Sequence, residues 1–170
     1  ALAAAIEVAE HCAERPTAWA TCQFLAPARL GQTVELNFTL SAAGRAVSHT
    51  RVIGRSEGRE VFICLISLGD RTFPTTGTWV NMPDVPGPEG LPERYILGGN
   101  KGGIRERITE LAVTDDPTGI MHSSDGRSCV WITMPGGIPE CASALALLGD
   151  EVSTGTSAVI EPDAQAPSID

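Results

Sequence analysis

Residues 33–68, TVELNFTLSAAGRAVSHTRVIGRSEGREVFICLISL, decide how this chain folds. Within 33–40 (TVELNFTL), Val34, Leu36, Phe38 and Leu40 alternate with polar neighbours. A strand turns successive side chains to opposite faces, so all four fall on one side of a half-buried strand. Residues 46–54 (AVSHTRVIG) and 60–68 (EVFICLISL) are two more strand-like runs, rich in β-branched and aromatic residues. The breaks between them, 41–45 and 55–59, are polar and contain glycine. Connections that short join antiparallel neighbours.

Working outward, residues 1–14 (ALAAAIEVAEHCAE) predict a helix that Arg15-Pro16 ends. Leu2, Ile6, Ala9 and Ala13 form its apolar stripe, and the alanines suit close packing. Residues 17–25, with Trp19 and Phe24, predict another strand, and 27–32 is a break. One helix followed by an antiparallel meander is an α+β layer, in which the helix covers the apolar face of the sheet.

Beyond residue 69 the pattern lapses and then restarts. Residues 70–100 are crowded with proline and glycine (MPDVPGPEGLPERY, then LGGNKGG) and predict a linker. Gly98-Gly99-Asn100-Lys101-Gly102-Gly103 could cradle a phosphate, but it matches neither a P-loop nor a dinucleotide fingerprint, and a plain loop is the simpler expectation. Residues 103–113 alternate at Ile104, Ile108 and Leu111, although they could be helical. Residues 127–134 (RSCVWITM) predict a strand, and 138–148 a helix with Pro139 in its first turn. Strands and a helix thus recur across a linker, which implies two related half-domains. The chain opens inside a helical pattern and stops where a strand begins, so it reads as cut at both ends.

Composition excludes several classes. The 170 residues are 42% hydrophobic, enough to bury a core. A net charge of −9 disfavours nucleic acid as a partner. Apolar runs such as 61–68 are too short for a membrane span. Cys12, Cys22, Cys64, Cys129 and Cys141 include no C-x-x-C pair and fit buried, reduced thiols in a cytoplasmic protein. His11, His49 and His122 lack metal-site spacing, so neither a metal nor a cofactor is expected.

Gly54-Arg55-Ser56-Glu57-Gly58 matches the G-x-S-x-G nucleophile elbow letter for letter. An elbow needs a strand, a tight turn and then a helix. The residues that follow are strand-like, so a hairpin turn is expected instead. Asp115-Asp116 and Asp125 sit in polar turn segments, where solvation is the default. Asp150 follows Gly149 at the end of the second helix, where the macrodipole disfavours a carboxylate. If the helix continues, Ser143, Leu147, Asp150, Thr154 and Ser157 share one face, and Leu145, Leu148, Val152 and Val159 another. Asp150 would then be a poised general base. The plainer alternative is a solvated acidic turn, Gly149-Asp150-Glu151.

Two stretches resemble the acyl-CoA thioesterase II family. Residues 24–68 resemble its first hotdog: Phe24-Leu25-Ala26-Pro27, the alternating strand 34–40, Gly44 in a hairpin, Ser48–Val52 as Ser-x-x-Arg-Val, and the apolar strand 61–68. Residues 82–94 look like the family's inter-domain linker. In 127–170, RSCVWITMP resembles the strand before the second hotdog helix and ALALLGDEV that helix. The resemblance implies two tandem hotdog units, each an antiparallel sheet wrapped around a central helix: 1–69 without its first strand, linker 70–102, and 103–170 as the first part of the second. It places the catalytic aspartate on Asp150 and a catalytic hydroxyl on Ser168. It also implies an acyl-CoA substrate and a homo-oligomer. The family's Arg-Pro-Gly is Ala26-Pro27-Ala28 here. Its Gly-Gly-Gln would precede residue 1, and its third catalytic group, a glutamine, would follow residue 170. A hotdog that binds acyl groups without cleaving them, or a hydratase or dehydratase, are the alternatives.

Overall fold

The computed structural model describes residues 1–71, 75, 77–94, 104–122 and 127–151. The described residues divide into two compact units: 1–77 with 140–147, and 78–139 with 148–151.

The first unit begins with α1 (Leu2–Ala13). Ala5, Ile6 and Ala9 are its buried residues, one stripe of the predicted face. Alanine at two of these positions keeps the helix axis close to the sheet. Glu14 takes a left-handed conformation and ends the helix. The chain is then tied down at once: Glu10 Oε1 accepts from Thr17 N at 2.7 Å, and Arg15 Nη1 donates to the Gly44 carbonyl at 2.9 Å.

Four strands follow: β1 (Thr17–Phe24), β2 (Glu35–Ala43), β3 (Ser48–Ser56) and β4 (Arg59–Leu68). The order across the sheet is β1-β4-β3-β2, all antiparallel. The expected meander therefore holds only for β2–β4. The Pro-containing segment after β1 is too long for a tight hairpin and carries the chain to the far edge, so β1 pairs with β4. Strand β3 alternates strictly, with Ser48, Thr50, Val52, Gly54 and Ser56 buried. Val52, Cys64, Ile66 and Leu68 join Ala5, Ile6 and Ala9 in the core. Each large aliphatic side chain fully buried there contributes about 1.5–3 kcal/mol. Thr50 is satisfied within the sheet by donating to the Ile66 carbonyl at 3.2 Å.

The β3–β4 turn settles the elbow question. Glu57 (φ 51°) and Gly58 (φ 77°) are both left-handed, which is the signature of a type I′ hairpin. Ser56 is buried, so its hydroxyl is not presented at a sharp strand-to-helix corner. Gly54 opposes Phe62 across the ladder, and a Cβ there would run into the Phe62 ring. Phe62 is itself buried and cannot swing out freely. We expect Gly54→Ala to cost about 1–3 kcal/mol through overpacking, read as a lower urea midpoint with unchanged m.

The second unit carries a 3₁₀ turn, η1 (Ile104–Arg107), and a two-stranded antiparallel sheet of β5 (Thr109–Ala112) and β6 (Val130–Thr133). The phase of β5 differs from the expected one. Its buried residues are Glu110 and Ala112, while Leu111 is half-buried. Glu110 can sit inside because Arg94 Nη1 meets its Oε2 at 2.5 Å, with both side chains about 5% exposed or less. Residues 86–94, expected to be linker, run beside this sheet. Arg94 N donates to the Glu110 carbonyl at 2.8 Å, and Ala112 N to the Pro92 carbonyl at 2.9 Å. A proline keeps its acceptor even though it has no donor, so the pairing survives the local proline density. Trp131 Nε1 donates to the Pro86 carbonyl at 3.0 Å and anchors the same segment.

Candidate functional site

The helix that carries Asp150 is α2 (Ala142–Glu151). It starts later than the expected 138, and Pro139 lies ahead of it rather than in its first turn. The Cys141 carbonyl accepts the first helical bond, from Leu145 N at 3.1 Å. Packing sets this start: Ser143 and Ala144 are the helix's first buried residues, and Ala142 and Ala146 pack against the core of the first unit. Leu145 is 69% exposed, so the aliphatic stripe expected at Leu145 and Leu148 is not the buried face. Small residues make that face instead, which repeats the device seen on α1.

Ser143 Oγ donates to Glu7 Oε1 of α1 and also lies 3.2 Å from Cys141 Sγ. This polar chain lies within the first unit, between the start of α2 and the middle of α1. A hydrogen bond to a charged group is worth about 1.5–3 kcal/mol. Ser143→Ala should therefore lower the stability of the first unit by an amount in that range, measured by chemical denaturation. Glu7→Ala/Ser143→Ala should cost little more than the single change, because the two side chains act as one pair.

Asp150 lies in the last turn of α2 and is exposed. Its carboxylate has no hydrogen bond or ion pair with any described residue. The last turn of α2 carries no basic side chain. The carboxylate thus faces the negative end of the helix dipole with no local cation, an arrangement that helix stability alone does not favour. Ser168, the expected hydroxyl partner, lies outside the described residues, as do Thr154 and Ser157. The Gly98–Gly103 glycine run and Asp125 lie outside them too. Among the described residues no group of three or more histidine, cysteine or acidic side chains is placed to hold a metal ion. Nor is any helix among them long and apolar enough to cross a membrane.

The turn acids behave as local structure. Asp116 Oδ1 accepts from Thr118 N at 2.9 Å and from Thr118 Oγ1 at 2.6 Å. These bonds to the ionised form hold its carboxyl below the usual aspartate range. Asp116 thereby closes its own turn rather than serving a site.

Sequence reasoning missed both polar pairs, Arg94–Glu110 and Glu7–Ser143. Glu110 occupies an inward position of a strand-like alternation, and a buried acid at such a position is the available sign of a paired cation elsewhere. Nothing local identifies Arg94 as that cation.

No family model matches the sequence, and no curated protein matches it. Solved structures do. The chain is similar to a provisionally assigned thioesterase from Novosphingobium aromaticivorans, with 28% identity and a TM-score of 0.80 over 91% of this chain and 60% of that one. A conserved protein of unknown function with a hot dog fold from Alicyclobacillus acidocaldarius gives 20% identity and a TM-score of 0.67, over 90% of this chain and 55% of that one. The acyl-CoA thioesterase II TesB2 of Mycobacterium marinum gives 14% identity and a TM-score of 0.62, over 91% of this chain and 58% of that one. The present chain thus spans between about half and three-fifths of the length of these proteins. The fold is the hotdog fold, as the family resemblance implies, and its antiparallel sheet packed on a helix is the α+β layer that the strand pattern predicts. The solved structures it is similar to include proteins named as thioesterases or TesB and a hot dog protein of unknown function.

Proposed function

We propose that this chain is part of an acyl-CoA thioesterase, in which Asp150 activates the attacking water. The observation that carries the reading is the 28% identity to a provisionally assigned thioesterase over nearly the whole chain, at a TM-score of 0.80. The chemistry of α2 is compatible with it. A thioester is an activated acyl group, so a positioned and partly deprotonated water suffices to cleave it. Asp150 is an ionisable carboxylate with no described partner to neutralise it or occupy its lone pairs. In this reading it takes a proton from water as the water attacks the thioester carbonyl, and Ser168 orients that water. The tetrahedral intermediate collapses with expulsion of the coenzyme A thiolate, leaving the free acid. Backbone N–H groups at a helix start would stabilise the oxyanion. In the same reading, residues 1–69 and 103–170 belong to successive hotdog units joined by 70–102.

The test is single-turnover hydrolysis by the full-length protein in heavy-oxygen water, across acyl-CoA esters of short, medium and long chain. Label is expected in the released fatty acid and not in the protein. Label in the Asp150 carboxylate would replace the general-base route with direct attack and an anhydride intermediate. Absence of coenzyme A release from every ester would remove the thioesterase reading and leave a non-hydrolytic acyl-binding hotdog.

A further inference from the structure

Two cysteines sit face to face inside the sheet. Cys22 of β1 lies directly opposite Cys64 of β4. The parity of this ladder follows from Leu25 N, which donates to the Val61 carbonyl at 2.9 Å. Leu25 and Val61 are thus a hydrogen-bonded pair, and alternation makes Phe24–Phe62 and Cys22–Cys64 non-hydrogen-bonded pairs. Such pairs bring opposed Cα atoms to about 4.5 Å and their side chains closest together. A disulfide spans Cα separations of roughly 4.4–6.8 Å, so the backbone meets the requirement without moving far. Both side chains point to the same face: Cys22 is 4% exposed and Cys64 0%. Neither cysteine is in a disulfide, and the Cys22 side chain is a hydrogen-bond partner of Cys64. That bond, together with burial, pushes the Cys64 thiol well above the ordinary thiol range. At rest the Cys64 sulfur is therefore a poor nucleophile, which favours the reduced pair while the sheet is closed.

We propose that Cys22 and Cys64 form a reversible cross-strand disulfide when the protein meets a hydroperoxide, and that this bond pins β1 to β4. Strand β1 ends the described sheet, with β4 as its neighbour there. Its register also slips between Thr17 and Trp19. End strands open at lower free energy than the middle of a sheet, and opening frees the thiols. One thiolate then attacks the peroxide oxygen, giving a sulfenic acid and releasing water or an alcohol. The second thiol attacks the sulfenic sulfur, forms the S–S bond and releases water. The two cysteines lose two electrons and two protons in all, and the hydroperoxide is the oxidant. This inference rests on the sheet geometry and is independent of the thioesterase reading.

The experiment treats the native full-length protein with hydrogen peroxide, blocks remaining thiols under denaturing conditions and maps the peptides by mass spectrometry. The expected product is a Cys22–Cys64 linked peptide, lighter than the reduced pair by two hydrogens and cleaved by dithiothreitol. Oxidised protein should also melt higher than reduced protein, with the shift reversed by reduction. Cys12, the exposed cysteine, is the internal control, and Cys12→Ser should leave the linked peptide in place. Cys22→Ala should abolish both the peptide and the shift. The wild-type mapping stands alone if that variant does not fold. Recovery of Cys22 and Cys64 as blocked thiols under conditions that oxidise Cys12 would overturn the proposal. So would a linked peptide that forms only in denaturant. A linked peptide with no change in melting would overturn the pinning of β1.

Discussion

Asp150→Asn in the full-length protein is expected to lower kcat for acyl-CoA hydrolysis by about 10²–10⁴-fold, the span that a positioned general base contributes. The KM should move little, because an amide of the same shape removes proton transfer and leaves ground-state binding in place. The same substitution should not destabilise the protein. Asp150 is exposed and has no described partner, and its charge opposes the helix dipole. Neutralising a carboxylate at a helix C-terminus gains about 0.3–1 kcal/mol where it acts. A loss of turnover with a preserved or slightly raised melting temperature is the signature of a carboxylate kept for chemistry at the expense of its helix. Unchanged turnover, measured by coenzyme A release, would remove Asp150 from the site and return it to a solvated helix end.

The largest structural effect is expected at Arg94→Met. The change keeps the length and apolar stem of the side chain and deletes the guanidinium. It strands the Glu110 carboxylate at 4% side-chain exposure. Removing one partner of a buried ion pair costs about 3–5 kcal/mol, because the remaining charge is neither solvated nor neutralised. For a unit of this size that is a large share of the total stability. Arg94→Met combined with Glu110→Leu should recover most of the loss, since an apolar pair of similar volume is often neutral or better than the ion pair it replaces. Urea denaturation of the two single variants and the double variant measures this coupling directly. A double variant no more stable than Arg94→Met alone would show that residues 86–94 need the charges to lie beside β5, beyond their mutual attraction.

The first unit was legible because its signals are local. Period-two alternation in TVELNFTL and the alanine stripe of residues 1–14 each follow from one element meeting one apolar face. The RSEGR turn was legible for the same reason, since a left-handed Gly58 suits a two-residue hairpin. The partner of β1 was not legible, because strand pairing between residues so far apart in sequence leaves no mark on either strand. The phase of β5 was missed for a related reason. An inward Glu110 reads as an outward polar residue until Arg94 is known to reach it. The surroundings of Asp150 were legible only in part: the pattern ended the helix at 148 and put Asp150 on it only if it continued, and α2 runs on to Glu151. Its role came from resemblance, because an exposed aspartate at a helix end has the same local sequence whether it activates water or merely meets it.

The strand order β1-β4-β3-β2 also dictates a schedule for folding. Strands β2, β3 and β4 are neighbours in sequence and in space, so two short loop closures assemble them. Strand β1 is made before these three, yet its hydrogen-bonding partner ends at Leu68. Until β4 exists, Cys22 lacks the described strand that it faces. The wide loop that finally brings β1 home costs more closure entropy than either hairpin, and it is the step that raises contact order and slows the chain. Of these four strands, the one made first is therefore the one that docks last.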